Sequence, residues 1–398
     1  MATINTNRTT PESLQEGSLV LAVNSGSSSL KVGLYAQGEK DVTMLLSGQA
    51  DGVGHANGQL KVKDTEGKKL IDQQYTLATQ GDALSRILSA LPGNTRERIT
   101  AIGHRVVHGG PHLTEHQRIT SEVQKTLEQA VRFAPLHIPP ALTLIQETTR
   151  QLEGVAQFAC FDTAFHRTLP EVAYRYALPE RFYEQGVRRY GFHGLSYESV
   201  LYRLHQEFPN QIPSRVICAH LGSGASLAAV RDGKSVDTSM GFTPLGGVPM
   251  GTRPGDLDPG VVITLMRMGE LTPDSVEHML NRESGFYALS GGETDMRALL
   301  ESRSQGAPKA SFTVESFTMG VRKFIGSYAA VLGGIDLLIF SGGIGEHSPI
   351  IRKLCCEGLE PHGIRPEDGE QPKADGKVRV MVAEEERQIA RHCFNLMQ

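Results

Sequence analysis

The feature that most constrains this chain is a short pattern that occurs twice. Ser18 to Val23 is a brief apolar run, a strand by its Val and Leu content. It leads into Asn24-Ser-Gly-Ser-Ser-Ser-Leu-Lys31, a turn of small residues, and Val32 to Tyr35 reads as the returning strand. Arg215 to Ala219, then His220-Leu-Gly-Ser-Gly-Ala-Ser-Leu227, then Ala228 to Arg231 repeat the arrangement, and Asp232-Gly233 offers a further hairpin turn. Gly26 and Gly222 lie 196 residues apart in a chain of 398, close to half its length. Two related halves, each opening with a hairpin able to grip phosphate, is the simplest reading. Chance matching of Ser/Gly-rich turns is the competing explanation. Neither turn is a P-loop, which needs Gly-Lys-Ser/Thr running into a helix.

Around the hairpins, helical and strand signals alternate. Gln80 to Leu91, Ser121 to Phe133, Pro140 to Leu152 and Phe312 to Leu332 have helical spacing, while Ile99 to Ile102, Val155 to Phe161 and Leu337 to Phe340 read as strands. The class is α/β with mixed sheets. Ser302 to Ala310 and Arg365 to Lys377 read as exposed loops.

Composition narrows the function. Forty Lys and Arg against 44 Asp and Glu give a net charge of −4, which argues against a nucleic-acid binder that works by bulk charge. Gly 43 and Pro 20 suggest many tight turns. The cysteines Cys160, Cys218, Cys355, Cys356 and Cys393 are odd in number and contain no C-x-x-C, so neither a disulfide framework nor a cysteine zinc site is expected. Met1 to Gly17 reads as a flexible lead without the basic start and apolar stretch of a signal peptide. No run reaches 18 apolar residues, so no membrane span is expected. A reducing compartment, the cytoplasm, is expected.

Several short blocks carry chemistry. Consecutive small residues let backbone N–H groups approach an anion, and Lys31 adds charge. Gly103-His-Arg-Val-Val-His-Gly-Gly110 sets Arg105 and His108 beside exposed backbone amides. Ala134 to Pro140 holds His137 in a Pro-bracketed turn. Asp162 follows a strand, at the end where open α/β sheets bind ligands. His193 lies between glycines, and Arg253 lies in the loop Met250 to Gly260 with Asp256 and Asp258, a loop too irregular to be a packing element. Taken singly, each reads more simply as a surface ion pair or a cap. Together, two arginines, several histidines and two small-residue turns suit phosphoryl transfer, which needs positive charge, a bridging metal and an oriented acceptor. A metal hydrolase using His104, His108, His137, Asp162, His166 and His193 is a rival, without H-E-x-x-H or H-x-H spacing to support it. A non-catalytic actin-like ATPase module is another; it would have no use for Arg105, Asp162 and His193 together.

In order along the chain, these blocks resemble the acetate/propionate kinase (acetokinase) family from Leu19 to near the C-terminus. The landmarks include Asn24 to Lys31, His104 to Gly110, Ala134 to His137, Phe161 to His166, Tyr190 to Gly194, His220 to Gly222, Val236 to Gly241, Met250 to Arg253 and Gly342 to Glu346. The resemblance implies the two-domain sugar-kinase/actin-like ATPase fold, with duplicated mixed-sheet domains flanking a nucleotide cleft. It implies a lead at 1–17 and an N-terminal domain at 18–162 on which a last helix at 385–398 packs back. It further implies a C-terminal nucleotide-binding and dimerisation domain at 163–384, in a homodimer. The implied reaction joins ATP and a short carboxylate, acetate or more weakly propionate, to give ADP and an acyl phosphate by in-line transfer with Mg2+, or Mn2+ in its place.

By the same resemblance, Asn24 and Glu385 match the metal positions, and Ser27, Ser29 and Lys31 line the first phosphate loop. Arg105 and Arg253 would stabilise the transferring group, His193 would hydrogen-bond it, Asp162 would orient the assembly, and His137 would lie nearby. Val107, Leu136, Phe192 and Pro244 match a pocket for the acyl methyl. His220, Leu221, Gly222, Ser223 and Gly224 match the second phosphate loop. Asp295, Met296, Arg297, Gly343, Ile344, Gly345 and His347 match the base and ribose region. The family usually has Asn at the positions of Ser223 and His347, which makes these two candidates for setting the phosphoryl donor, ATP or another.

Overall fold

Leu19 to Val23 has no polar side chain and is buried throughout, as a strand with neighbours on both edges and cover on both faces requires. In the computed structural model, which describes residues 17–26, 28–209, 212–269, 271–365 and 377–398, that strand is the centre of the first sheet. Residues 1–16 of the expected lead, Ser27, and residues 366–376 of the expected exposed segment lie outside the described residues. The chain divides into two units, one running to Phe161 and resuming at Glu385–Gln398, the other Asp162–Glu384.

The first unit holds β1 (Leu19–Ser25), β2 (Ser29–Gln37), β3 (Val42–Asp51), β4 (Gly58–Asp64), β5 (Lys69–Tyr75), β6 (Ile99–Val106), β7 (Gln117–Arg118) and β8 (Ala156–Phe161). They are ordered β5-β4-β3-β2-β1-β6-β8-β7. β1 to β3 are antiparallel neighbours, while β6 runs parallel to both β1 and β8. Alternate residues of β1 and β2 (Leu19, Leu21, Val23; Leu30, Val32, Leu34) join Leu84, Ile87 and Leu144 from the helices Gln80–Ser89 and Ile138–Gln151 in one core. The helix Glu385–Leu396 packs on β1 and β6. It fits because position 103 has no side chain: a β-carbon there would collide with Ile389 Cγ2 and Cys393 Sγ. Arg391 Nη2 ties the same helix to Asp41 at 2.7 Å. Burial alone would raise the Asp41 carboxyl, but the hydrogen bonds and charge of Arg391 outweigh it and hold it below its ordinary value.

The second unit holds β9 (Arg215–Leu221), β10 (Ala225–Arg231), β11 (Lys234–Thr238), β12 (Leu337–Ser341) and β13 (Val378–Val380), ordered β11-β10-β9-β12-β13. β9 to β11 are antiparallel neighbours, and β12 runs parallel to both β9 and β13. Strand for strand this is the arrangement β3-β2-β1-β6-β8 of the first unit. Tyr197, Val200 and Leu204 of the helix Gly194–Glu207 pack with Val216, Cys218 and Ile339. The helix Pro308–Leu332 packs on β9 and β10. Within the second unit the helix Gly194–Glu207 packs on β9, as Glu385–Leu396 packs on β1 within the first. The β10–β11 hairpin turns through Asp232 (φ +49°) and Gly233 (φ +76°), the left-handed pair that a two-residue turn demands.

Four local expectations change. Ser29 and Lys31 belong to β2, and His220 and Leu221 to β9, so both turns are tighter than their small-residue runs suggest. Backbone pairing draws polar residues into a strand wherever a partner strand continues beside them. Ser302 to Ala310 is mostly the end of one helix (Met296–Ser304) and the start of the next. The loop from Met250 is packed: Met250 and Gly255 are buried, Asp256 Oδ1 accepts from Gly247 N (2.8 Å), and Asp258 caps the helix Pro259–Arg267. Among the described residues, no helix is long and apolar enough to cross a membrane. All five cysteines are buried thiols.

Candidate active site

In the first unit the site begins where two parallel strands end together. Val23 is paired with His104, so Asn24 and Arg105 leave the ends of β1 and β6 side by side. Arg105 Nη1 donates to Asn24 Oδ1 at 3.0 Å. Asn24 Nδ2 donates to Glu385 Oε2 and to Glu386 Oε1, each at 2.8 Å. Both carboxylates occupy the first turn of their helix, where the backbone dipole favours negative charge. The result is a nearly buried amide held between two carboxylates and a guanidinium. Amide and carboxylate oxygens are the hard donors that Mg2+ and Mn2+ take, so this set fits such an ion. Glu386 was not among the sequence candidates; its only signal was adjacency to Glu385.

Lys31 is exposed and lies directly across the hairpin from Asn24, on the same face. It lines a cleft of about 240 Å³ with Ser47, Gln49, Lys61, Lys63 and Glu386. The turn itself closes by Gly26 N donating to Ser29 O (2.9 Å), and Gln80 Nε2 donates to Gly26 O (2.6 Å). Ser27 is not described. His137 is the half-buried residue that starts the helix Ile138–Gln151. Val107 is half-buried just past β6, and Leu136 is exposed.

In the second unit, Asp162 is the first residue after β8, is buried, and its backbone carbonyl accepts from Gly194 N at 2.9 Å. His193 starts the helix Gly194–Glu207 in the left-handed region, φ +59°. Its Nδ1 is 2.8 Å from Ser226 Oγ, and its ring lies 4.5 Å from that of His220, whose Nδ1 is 2.7 Å from Ser196 Oγ. Arg253 Nη1 donates to the carbonyl of Pro244 at 2.7 Å. A β-carbon on Gly224 would lie 2.7 Å from Arg253 Nη2 and 3.1 Å from His193 Nε2, so the guanidinium and the imidazole converge on this turn. The turn closes by Gly222 N donating to Gly224 O (3.0 Å).

Ser341 of β12 is paired with His220, which sets Gly342 and Gly343 beside the turn. Gly342 has φ +74° with the Leu221 backbone against it, a place no side chain fits. Ser223, Gly343 and His347 are exposed; Ile344 is half-buried and Gly345 buried. Leu221 and Met296 are buried, so they offer a ligand only their backbone. Asp295 caps the next helix, and its exposed partner Arg297 brings the carboxyl down to about 2.

Histidines of the rival hydrolase are engaged in hydrogen bonds within their own units. His104 Nε2 bonds Gln157 Oε1 at 2.7 Å, and His166 uses both ring nitrogens, on Ser235 Oγ (2.8 Å) and the Phe192 carbonyl (3.0 Å). Burial drives both down to about 4, so they are neutral core groups. His108 Nδ1 accepts from Gly110 N (2.8 Å). Sequence reading also missed Ser226 and Tyr197, although Tyr197 stands four residues after His193 on one helix face, a spacing that could have flagged it.

Two units built on the same strand order, each with a glycine hairpin at its centre, define the sugar-kinase/actin-like ATPase class of α/β folds. Within that class the profile of the Acetokinase family matches residues 19–392, and the chain belongs to this family. It is 42% identical to the acetate kinase of Coprothermobacter proteolyticus over 95% of this chain and 99% of that one. Among solved structures it is similar to Porphyromonas gingivalis acetate kinase (TM-score 0.82, 34% identity, 96% of this chain and 100% of that one). It is also similar to a propionate kinase from Francisella tularensis (TM-score 0.84, 33% identity, 94% and 98%).

Proposed function

We propose that this chain is an acetate kinase, reversibly transferring the γ-phosphoryl group of ATP to acetate to give acetyl phosphate and ADP. The observation that carries the reading is the convergence of Arg253 and His193 Nε2 on Gly224 in a tight hairpin turn. That arrangement offers a cation and an N–H donor beside backbone amides, which is what a transferring phosphoryl group needs.

The acceptor carboxylate is already ionised near neutral pH, so no general base is required. Catalysis is then positioning and charge stabilisation. Arg253 and Arg105 counter the charge of the phosphoryl oxygens, His193 donates to them, and Asp162 orients the assembly with His137 nearby. Asn24 and Glu385, with Glu386 adjoining, would hold Mg2+ or Mn2+; such an ion neutralises phosphate charge when bound. Backbone amides at 222–224 and 343–345, with Ser29, Lys31 and Ser27, serve the phosphates, and Asp295 and Arg297 the ribose and base. Val107, Leu136, Phe192 and Pro244 are the residues that the family resemblance assigns to the acyl group. Propionate is the second reading, supported by the similarity to a propionate kinase; one methylene changes pocket binding by only about 1–3 kcal/mol.

The enzyme is a cytoplasmic homodimer with the second unit at the contact. In support, the helix Pro259–Arg267 has no buried residue yet exposes Val261, Ile263 and Met266, an apolar surface suited to a second copy.

Acyl phosphate trapped with hydroxylamine tests the reading. Acetate, propionate and butyrate are each run against ATP, GTP and pyrophosphate with Mg2+. The expected result is the strongest signal with acetate and ATP. A signal with another donor alone makes Ser223 and His347 the donor determinants. No signal from folded protein overturns the proposal in favour of an ATPase module.

A further inference from the structure

His193 is held from three directions. Its backbone is left-handed, its ring stacks obliquely on His220, and its Nδ1 is bonded to Ser226 Oγ. Ser226 is fully buried on β10, directly across the hairpin from His220. Its hydroxyl also meets the hydroxyl of Tyr197, 2.5 Å away. Tyr197 is fully buried one helical turn beyond His193, with Phe165 and His166 against its ring.

Proton counting gives this chain a direction. Ser226 Oγ is the hydrogen-bond partner of the Tyr197 hydroxyl. A buried phenol with one partner donates to it, because a buried O–H without an acceptor loses a full hydrogen bond. Ser226 then spends its own proton on its other partner, His193 Nδ1. An accepting Nδ1 leaves the imidazole proton on Nε2, the atom that faces Gly224 beside Arg253. In the reverse direction the Tyr197 proton would have nowhere to go. A protonated imidazole would strand the Ser226 proton instead.

We propose that Tyr197 and Ser226 are positioning residues for the phosphoryl transfer: a two-hydroxyl relay that holds His193 as the neutral Nε2–H tautomer, a donor aimed at the transferring group. The donor role rests on the function proposed above, whereas the relay and the tautomer rest on the hydrogen bonds alone. Burial pushes the Tyr197 phenol well above its ordinary value, so its proton stays in place.

The test pairs a spectroscopic readout with kinetics. In ¹⁵N-histidine NMR of the whole protein, with His193 assigned by its loss in His193→Gln, the expected pattern is a bare, hydrogen-bonded Nδ1 and a protonated Nε2. Ser226→Ala is expected to mix the tautomers and lower kcat by about 10- to 100-fold, the scale for removing a group that orients a catalytic one. KM for both substrates should change by less than about threefold. Tyr197→Phe should shift both readouts the same way by less, and Ser226→Thr, which keeps the hydroxyl, should restore most of the rate. A protonated Nδ1 in the native protein overturns the relay even if every variant misfolds. So does a Ser226→Ala enzyme with kcat within about twofold of native. An Nε2–H tautomer in folded protein that transfers no phosphoryl group to any carboxylate supports the relay and overturns the activity reading.

Discussion

The two hairpins, β1–β2 and β9–β10, occupy the same place in sheets of the same strand order, and each closes through a glycine N–H at about the same distance (2.9 and 3.0 Å). Their chemistry is nevertheless opposite in character. The first ends in an amide clasped by two carboxylates, with Arg105 behind it. The second ends in two imidazoles seated on serine hydroxyls, with Arg253 against the turn. The difference comes from the helix that meets each strand end. Glu385–Leu396 brings an acidic first turn to β1, while Gly194–Glu207 brings His193, Ser196 and Tyr197 to β9 and β10. A duplicated backbone frame can therefore carry two different sets of groups, one acidic and one built on imidazoles and a guanidinium, without changing its topology.

The strongest way to break this comparison is to remove the arginine from each half. Arg105→Ala and Arg253→Ala are each expected to lower kcat by about 10³-fold, the scale of lost charge stabilisation in phosphoryl transfer, with little change in melting temperature. Near-normal turnover in either enzyme removes that half from the site.

The same substitution in the two turns sharpens the contrast. A methyl group on Gly224 meets Arg253 and His193, so Gly224→Ala should cost about 10²-fold in kcat by displacing both. On Gly26 a methyl meets Ser29 Oγ, the end of a side chain that can rotate away, and Gly26→Ala should cost less, about tenfold through the displaced Ser29 hydroxyl. Equal losses in steady-state assays would show that the first turn is as constrained as the second.

His104 in the first unit and His166 in the second are buried and neutral, held down to about 4 against an ordinary 6.5. The unfolded chain takes up these protons near pH 6.5 and the folded chain only near 4. Stability is therefore complete above 6.5 and falls as pH drops through that window, by at most about 3 kcal/mol per histidine. Denaturant titrations at pH 7.5 and 4.5 measure the fall. His104→Gln and His166→Gln should each flatten it, and an unchanged slope in both would assign acid sensitivity elsewhere.

The smallest expected effect is at the packing of the last helix. Gly103→Ala should destabilise by about 1–3 kcal/mol through its clash with Ile389 and Cys393, read as a lower denaturation midpoint with normal kcat/KM in the remaining folded enzyme. Wild-type stability in this variant would show that the helix can shift away from β6.

The residues that carry the fold's repeat were legible because they are local. An apolar run of five followed by glycine and serine is a strand and a turn whatever surrounds it, so both hairpins, the strand before Asp162 and the long helix ending at Gly333 follow from the sequence. Most candidate site residues stood out for the same reason: Arg105, His193 and Arg253 sit in short runs of glycine and polar residues with no packing pattern of their own. Strand length was not. Ser29, Lys31 and His220 became strand because neighbouring strands continued beside them, and pairing is not encoded in one segment. Nor was the partnering of side chains from distant segments. Glu386 meets Asn24 across more than 360 residues, and Ser226 meets Tyr197 between a strand and a helix. The sequence by itself determined the repeated frame, the α/β class and the inventory of charged and hydrogen-bonding groups. Only the tertiary structure decided which groups touch, because a hydrogen bond depends on distances that no single stretch of chain contains.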